Sequence, residues 1–147
     1  MAIDPLSHGI AVERAYFLLN KEGKKERQLN SGDTVPRGSY IESLVVATHE
    51  NEERMQFVLV ENPKPACCEI LPETDQRYDQ TSTGFALRED KTQGVAYHHE
   101  QSGKELKDRC VLHAELAGKF MIPPARAELM YNTLEYGHSD AFVLNVE

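Results

Sequence analysis

Two adjacent prolines, Pro123 and Pro124, set the strongest limit on how this chain can fold. Each has a fixed φ and no backbone N–H, so a central sheet ladder cannot run through them. Phe120, Met121 and Ile122 can finish a strand, after which the chain must turn or follow a sheet edge. Beyond this structural corner, Ala125, Ala127, Leu129 and Tyr131 share one period-two face, with Arg126, Glu128 and Met130 on the other. Ala125, Leu129 and Met130 also fall on one side of a helical turn, so strand and short helix both stay open here.

The rest of the chain reads as strands and turns. Ile10 to Leu19 places Val12, Tyr16 and Leu18 on one face and Ala11, Ala15, Phe17 and Leu19 on the other. Lys21-Glu-Gly-Lys-Lys25 is a solvated hairpin tip, and Leu29-Asn-Ser-Gly-Asp33 is a turn cluster. Tyr40 to His49, with its apolar run Leu44-Val-Val-Ala47, is expected to be a central strand, and Met55 to Val60 to pair with it as a hairpin. Asn62-Pro-Lys-Pro65 stops that strand, and Pro72 to Thr83 reads as a long loop that Tyr78 ties down. Phe85–Asp90, Gly94–His99 and Glu105–Leu116 follow, the last with Leu106, Cys110, Leu112, Ala114 and Leu116 inward. Phe142, Leu144 and Val146 share one face of a closing strand. The expectation is an all-β chain: an antiparallel β-sandwich of about 7–9 strands with at most one short helix. Residues 10–147 would form a single sandwich domain, with 1–9 disordered or appended.

Charge and residue usage narrow the function. Sixteen Lys and Arg against 24 Asp and Glu give a net charge of -8, which argues against nucleic acid as a partner. No apolar run approaches the roughly 18 residues of a membrane span. The first residues lack the basic region, apolar core and cleavage site of a secretory signal. Three cysteines leave two readings open: a bridge from Cys67 or Cys68 to Cys110, or three reduced, partly buried thiols. His98 and His99 point to opposite faces of a strand, and with His113 and Cys110 they match no zinc spacing, so neither metal nor cofactor is expected. His138, Ser139 and Asp140 are sequence neighbours and cannot form a catalytic triad. Glu52-Glu53 and Glu89-Asp90 read as surface charge.

The string Phe120-Met-Ile-Pro-Pro-Ala-Arg-Ala-Glu-Leu-Met-Tyr131, followed by Tyr136-Gly137 and Ser139, resembles the C-terminal domain of bacterial α2-macroglobulin-like proteins. Ser31-Gly-Asp33 and Phe57-Val-Leu-Val-Glu-Asn-Pro-Lys-Pro-Ala66 are similar to further parts of that domain. The resemblance spans about Ile10 to Val146, is weakest at 70–105, and departs at Cys67-Cys68, where a glycine and an aliphatic residue are expected. It implies a macroglobulin or immunoglobulin-like sandwich excised from a much longer chain, and no enzyme. In that family a Cys–Gln thioester lies in a separate domain, and the C-terminal domain packs against it and keeps water away until a protease cuts a bait region. No Cys-x-x-Gln occurs in this chain: Ile70, Leu71 and His113 stand three residues after the cysteines.

By this resemblance Met130 and Tyr131 are the thioester-shielding, interdomain residues, and Pro123 and Pro124 the corner that aims them. The implied partners are the thioester domain and other domains of the parent, with target proteases met through the parent protein. The implied location is the periplasm or cell envelope. Animal relatives use lysines of this domain to engage a receptor, but Lys104 and Lys107 are read as surface residues. The competing reading is a stand-alone immunoglobulin-like binding or adhesion module of the bacterial surface, because a sandwich fold alone does not choose a function.

Overall fold

The computed structural model describes residues 4–51, 54–72, 86–101 and 103–147. Fourteen strands make up the described secondary structure: β1 (Leu6–His8), β2 (Ile10–Leu19), β3 (Lys25–Leu29), β4 (Thr34–Val35), β5 (Tyr40–His49), β6 (Gln56–Pro63), β7 (Cys68–Ile70), β8 (Ala86–Lys91), β9 (Gly94–Gln101), β10 (Glu105–Ala114), β11 (Gly118–Ile122), β12 (Arg126–Leu129), β13 (Asn132–His138) and β14 (Phe142–Val146). There is no helix among the described residues. The strand count exceeds the expected 7–9 because β1, β4 and β7 are only two or three residues long and β13 forms where Asn132 to Ser139, with Gly137, reads by sequence as a loop. β3 is exposed at every position but Leu29, so its ladder leaves no apolar alternation in the sequence. The expected loop at 72–83, with Tyr78, lies outside the described residues apart from Pro72.

One sheet has the order β1-β13-β12-β6-β9-β8 and a second β3-β2-β5-β10-β7; a third, smaller one runs β11-β14-β4. All pairs are antiparallel except β14 with β4. β5 is central, as its apolar run requires, and pairs along its length with β2 and β10. The expected hairpin of β5 with β6 does not form. β5 and β6 belong to different sheets, and Met55, just before β6, is buried with its N–H donating to the Gly103 carbonyl. Apolar runs say which strands are buried, not which neighbour they choose.

The core fills from alternate positions of facing strands. Ile10, Val12, Tyr16 and Leu18 of β2, with Ile41, Val45 and Ala47 of β5 and Leu106, Cys110, Leu112 and Ala114 of β10, meet Val58, Val60, Val95, Tyr97 and Ala127. Leu116, expected inward, lies beyond the end of β10 and is exposed. The inward position between Leu106 and Cys110 is Asp108, whose Oδ2 sits 2.9 Å from Nε2 of buried His99. This pair joins β9 to β10 across the layers, and removing one member would leave a buried polar group without its partner.

Of the two cysteine readings, the structure holds the three thiols apart from any bridge. All three cysteines are free and buried. The β7–β10 register sets Cys68 opposite Ala114 and Ile70 opposite Leu112, so Cys67 and Cys68 sit at the end of the ladder remote from Cys110. Four residues of strand put Cys110 about 13 Å from that pairing position, whereas a bridge needs Cα atoms within about 7 Å. Burial pushes the Cys110 thiol up to about 11 and raises Cys67 and Cys68 as well, so all three stay protonated near neutral pH.

Residues 6–8, placed by sequence in a disordered or appended start, form strand β1 on the edge of β13, with Leu6 opposite His138 and His8 opposite Tyr136. From Gly9, at φ 90°, the chain crosses into β2. The crossing is close: a Cβ at Gly137 would fall inside the carbonyl oxygen of Ile10.

Candidate functional site: a clamped strand and its exposed tip

Strand β12 resolves the ambiguity left by periodicity at 125–131. Its residues pair on one side with β6, Ala127 opposite Val60 and Leu129 opposite Val58, and on the other with β13, Ala127 opposite Gly137. Pro123 and Pro124 lie between β11 and β12, where the chain leaves the three-stranded sheet and enters the six-stranded one. Missing N–H groups do no harm at a corner where no ladder runs.

Two side chains, Arg14 of β2 and Ser139 just after β13, hold this corner. Ser139 is fully buried; its hydroxyl accepts the Ala125 N–H at 3.0 Å and donates to the Asp140 carbonyl at 3.0 Å, while its own N–H donates to the Ala125 carbonyl. With both roles of its hydroxyl filled, Ser139 is a structural residue. Arg14 reaches in from β2 and donates to the Pro123 carbonyl at 2.7 Å, with longer contacts to the carbonyls of Ile122 and Asp140 and to Oδ1 of Asn62. Its guanidinium also stands over the Tyr16 ring at 5.3 Å. Burial lowers the Arg14 pKa, but a guanidinium remains charged at any physiological pH. Sequence reading missed Arg14, although its position between Val12 and Tyr16 puts it on the inward face by simple alternation.

At the other end β12 delivers Met130 and Tyr131 to the turn into β13. They are 45% and 82% exposed, so neither fills the core of this domain. The β12–β13 register then shifts, pairing Glu128 with Tyr136 but Leu129 with Asn132, and the extra residues of β13 carry Leu134 outward at 74% exposure. Side chains also brace that shift: Nδ1 of His8 lies 2.6 Å from the Leu134 carbonyl, and Nε2 of His49 lies 3.1 Å from Oε1 of Glu135.

Phe57 completes the tip from β6. Its ring meets that of Tyr131 edge-on, with centroids 5.0 Å apart and planes at 88°, and its carbonyl accepts the Met130 N–H at 2.7 Å. Phe57 has φ 55°, the one non-glycine residue with positive φ among those described. For a bulky L-residue this left-handed conformation costs about 1–2 kcal/mol. Phe57 and Tyr131 are thus packed together at the surface beside exposed Met130, and Leu134 is exposed on the following strand.

The chain therefore has the sandwich architecture and an exposed apolar tip on a braced hairpin, but no metal cluster of three or more His, Cys, Asp or Glu among the described residues. Its fold is of the macroglobulin type. Residues 9–133 match the family model of the bacterial alpha-2-macroglobulin MG10 domain, and the chain belongs to that family.

Solved structures of bacterial alpha-2-macroglobulins share the fold. The native Escherichia coli alpha-2-macroglobulin superposes with a TM-score of 0.78 at 16% identity, over 100% of this chain and 10% of that one. Salmonella alpha-2-macroglobulin reacted with methylamine gives 0.75 at 14% identity, over 99% and 10%. An Escherichia coli structure spanning domain MG7 to the C-terminus gives 0.69 at 16% identity, over 96% and 24%. This chain thus spans about a tenth of the full-length relatives it resembles. No curated protein matches the sequence.

Proposed function

We propose that this chain is a non-catalytic module of a bacterial alpha-2-macroglobulin-like protease trap, which packs against the parent's thioester domain and covers the thioester until the bait region is cut. The observation that carries this reading is the exposure of Met130 and Tyr131 at the end of a strand that is otherwise fastened into the domain. A thioester hydrolyses when water reaches its acyl carbon. A methionine and an aromatic ring, presented together, form an adaptable dry cover over such a group. The thioester itself belongs to another part of the parent, because this chain has no Cys-x-x-Gln. Proteases meet the parent protein, and the trap works in the periplasm or cell envelope.

Methylamine attack on the thioester tests the reading. In the parent protein, Met130→Ala combined with Tyr131→Ala is expected to raise the rate of methylamine incorporation at least tenfold, a loss of about 1.4 kcal/mol of protection. An unchanged rate would overturn the shielding role.

A further inference from the structure

We infer that Phe57 is the positioning residue of this docking tip: it takes up a strained backbone conformation in order to hold the Tyr131 ring outward. The inference rests on the proposed docking role only for what the held ring is used for.

Three observations converge on Phe57. Its φ of 55° is one that L side chains rarely adopt, and bulky ones least of all. A glycine or asparagine at this position would relieve the strain, so the phenylalanine must earn its place through its side chain. That side chain is 39% exposed and adds little to the core. Its ring pair among the described residues is the edge-on packing with Tyr131, a ring 82% exposed that no other described ring touches.

The backbone serves the same end. Ladder pairs between β6 and β9 join Gln56 with Gln101 and Val58 with His99, passing over Phe57. Its carbonyl instead accepts the Met130 N–H, which ties the start of the tip turn to the start of β6. One residue therefore fixes both the turn that carries Met130 and Tyr131 and the direction of the Tyr131 ring. An unsupported tyrosine at a hairpin tip would sample several rotamers, and docking would have to select one. With Phe57 beside it, the ring is held ready for an apolar recess on the partner domain.

Two kinds of measurement test this. In this chain, Phe57→Gly and Phe57→Ala both remove the ring, but only glycine relieves the backbone. The glycine variant is therefore expected to melt at the higher temperature, the reverse of the usual order within a strand. In both variants the Tyr131 ring protons, assigned through their loss in Tyr131→Phe, should lose their ring-current shift and average their rotamers, while Phe57→Tyr retains the ordered ring. If Phe57→Gly melts below Phe57→Ala, or the Tyr131 signals do not change, the inference is overturned.

In the parent protein, Phe57→Gly should raise methylamine incorporation toward the level of Tyr131→Ala, with Phe57→Tyr restoring protection. If Tyr131→Ala accelerates the reaction and Phe57→Gly does not, the positioning role is overturned. If neither accelerates it, the shielding reading fails, and the tyrosine signals alone decide what Phe57 does.

Discussion

The two ends of β12 lie four residues apart and are built on opposite rules. At the Pro123–Ala125 end the backbone is tied down: Arg14 donates to the Pro123 and Ile122 carbonyls, Ser139 bonds Ala125 in both directions, and Ile122 and Ala125 are fully buried. At the Met130–Tyr131 end large apolar side chains stand in solvent, around a residue with an unfavourable φ. The difference teaches where this strand draws its stability and where it leaves apolar surface uncovered. A strand fastened at one end can carry an unsatisfied surface at the other without fraying.

That contrast can be broken most forcefully at Gly137, which pairs with Ala127 and lies against the Ile10 carbonyl. Gly137→Ala is expected to cost about 4 kcal/mol or more, because backbone rather than a flexible side chain must move. Urea unfolding of the two forms would check it; a loss below 1 kcal/mol would mean the crossing of β13 and β2 is looser than described. Next is Arg14→Ala, which leaves carbonyls at the corner without a donor and should cost about 2–3 kcal/mol. A thermal melt reads the loss, and a variant as stable as the parent sequence would show that water replaces the guanidinium. The smallest effect belongs to the tip. Met130→Ala and Tyr131→Ala should each change stability by no more than about 0.5 kcal/mol, since exposed side chains have little burial to lose. A drop of 2 kcal/mol in the same melts would place them in the domain's own core and remove the distinction.

Much of the fold was legible in the sequence where alternation is strong. β2, β5 and β10 declare their faces, and the apolar run of β5 marks it as central. The strands that escaped notice carry no periodic signal: β3 is charged and exposed but for Leu29, β1, β4 and β7 are too short for any period to register, and β13 has the loop-like Gly137 in it. Pairing was harder than identity, because 50–55 offers a good turn composition and nothing in it says that the chain is changing sheets.

The site divides in the same way. Met130 and Tyr131 stood out through the residue order around them, and their exposure is an outcome of the hairpin. Arg14 was available to a stricter reading of the β2 pattern, as Asp108 was for β10; both are charged residues at inward positions, and each has a partner waiting. Phe57 had no comparable signal. A left-handed φ in a strand-like run such as Phe57-Val-Leu-Val60 is imposed by the turn it meets, and no local preference announces it.

The three-residue strand β1 has a practical meaning for anyone handling this domain. It covers the outer edge of β13 from Tyr136 to His138, and a bare edge of that kind offers unpaired N–H and C=O groups to any passing strand. A boundary drawn at residue 10, where the clear alternation starts, would strip the edge and invite sheet-to-sheet aggregation.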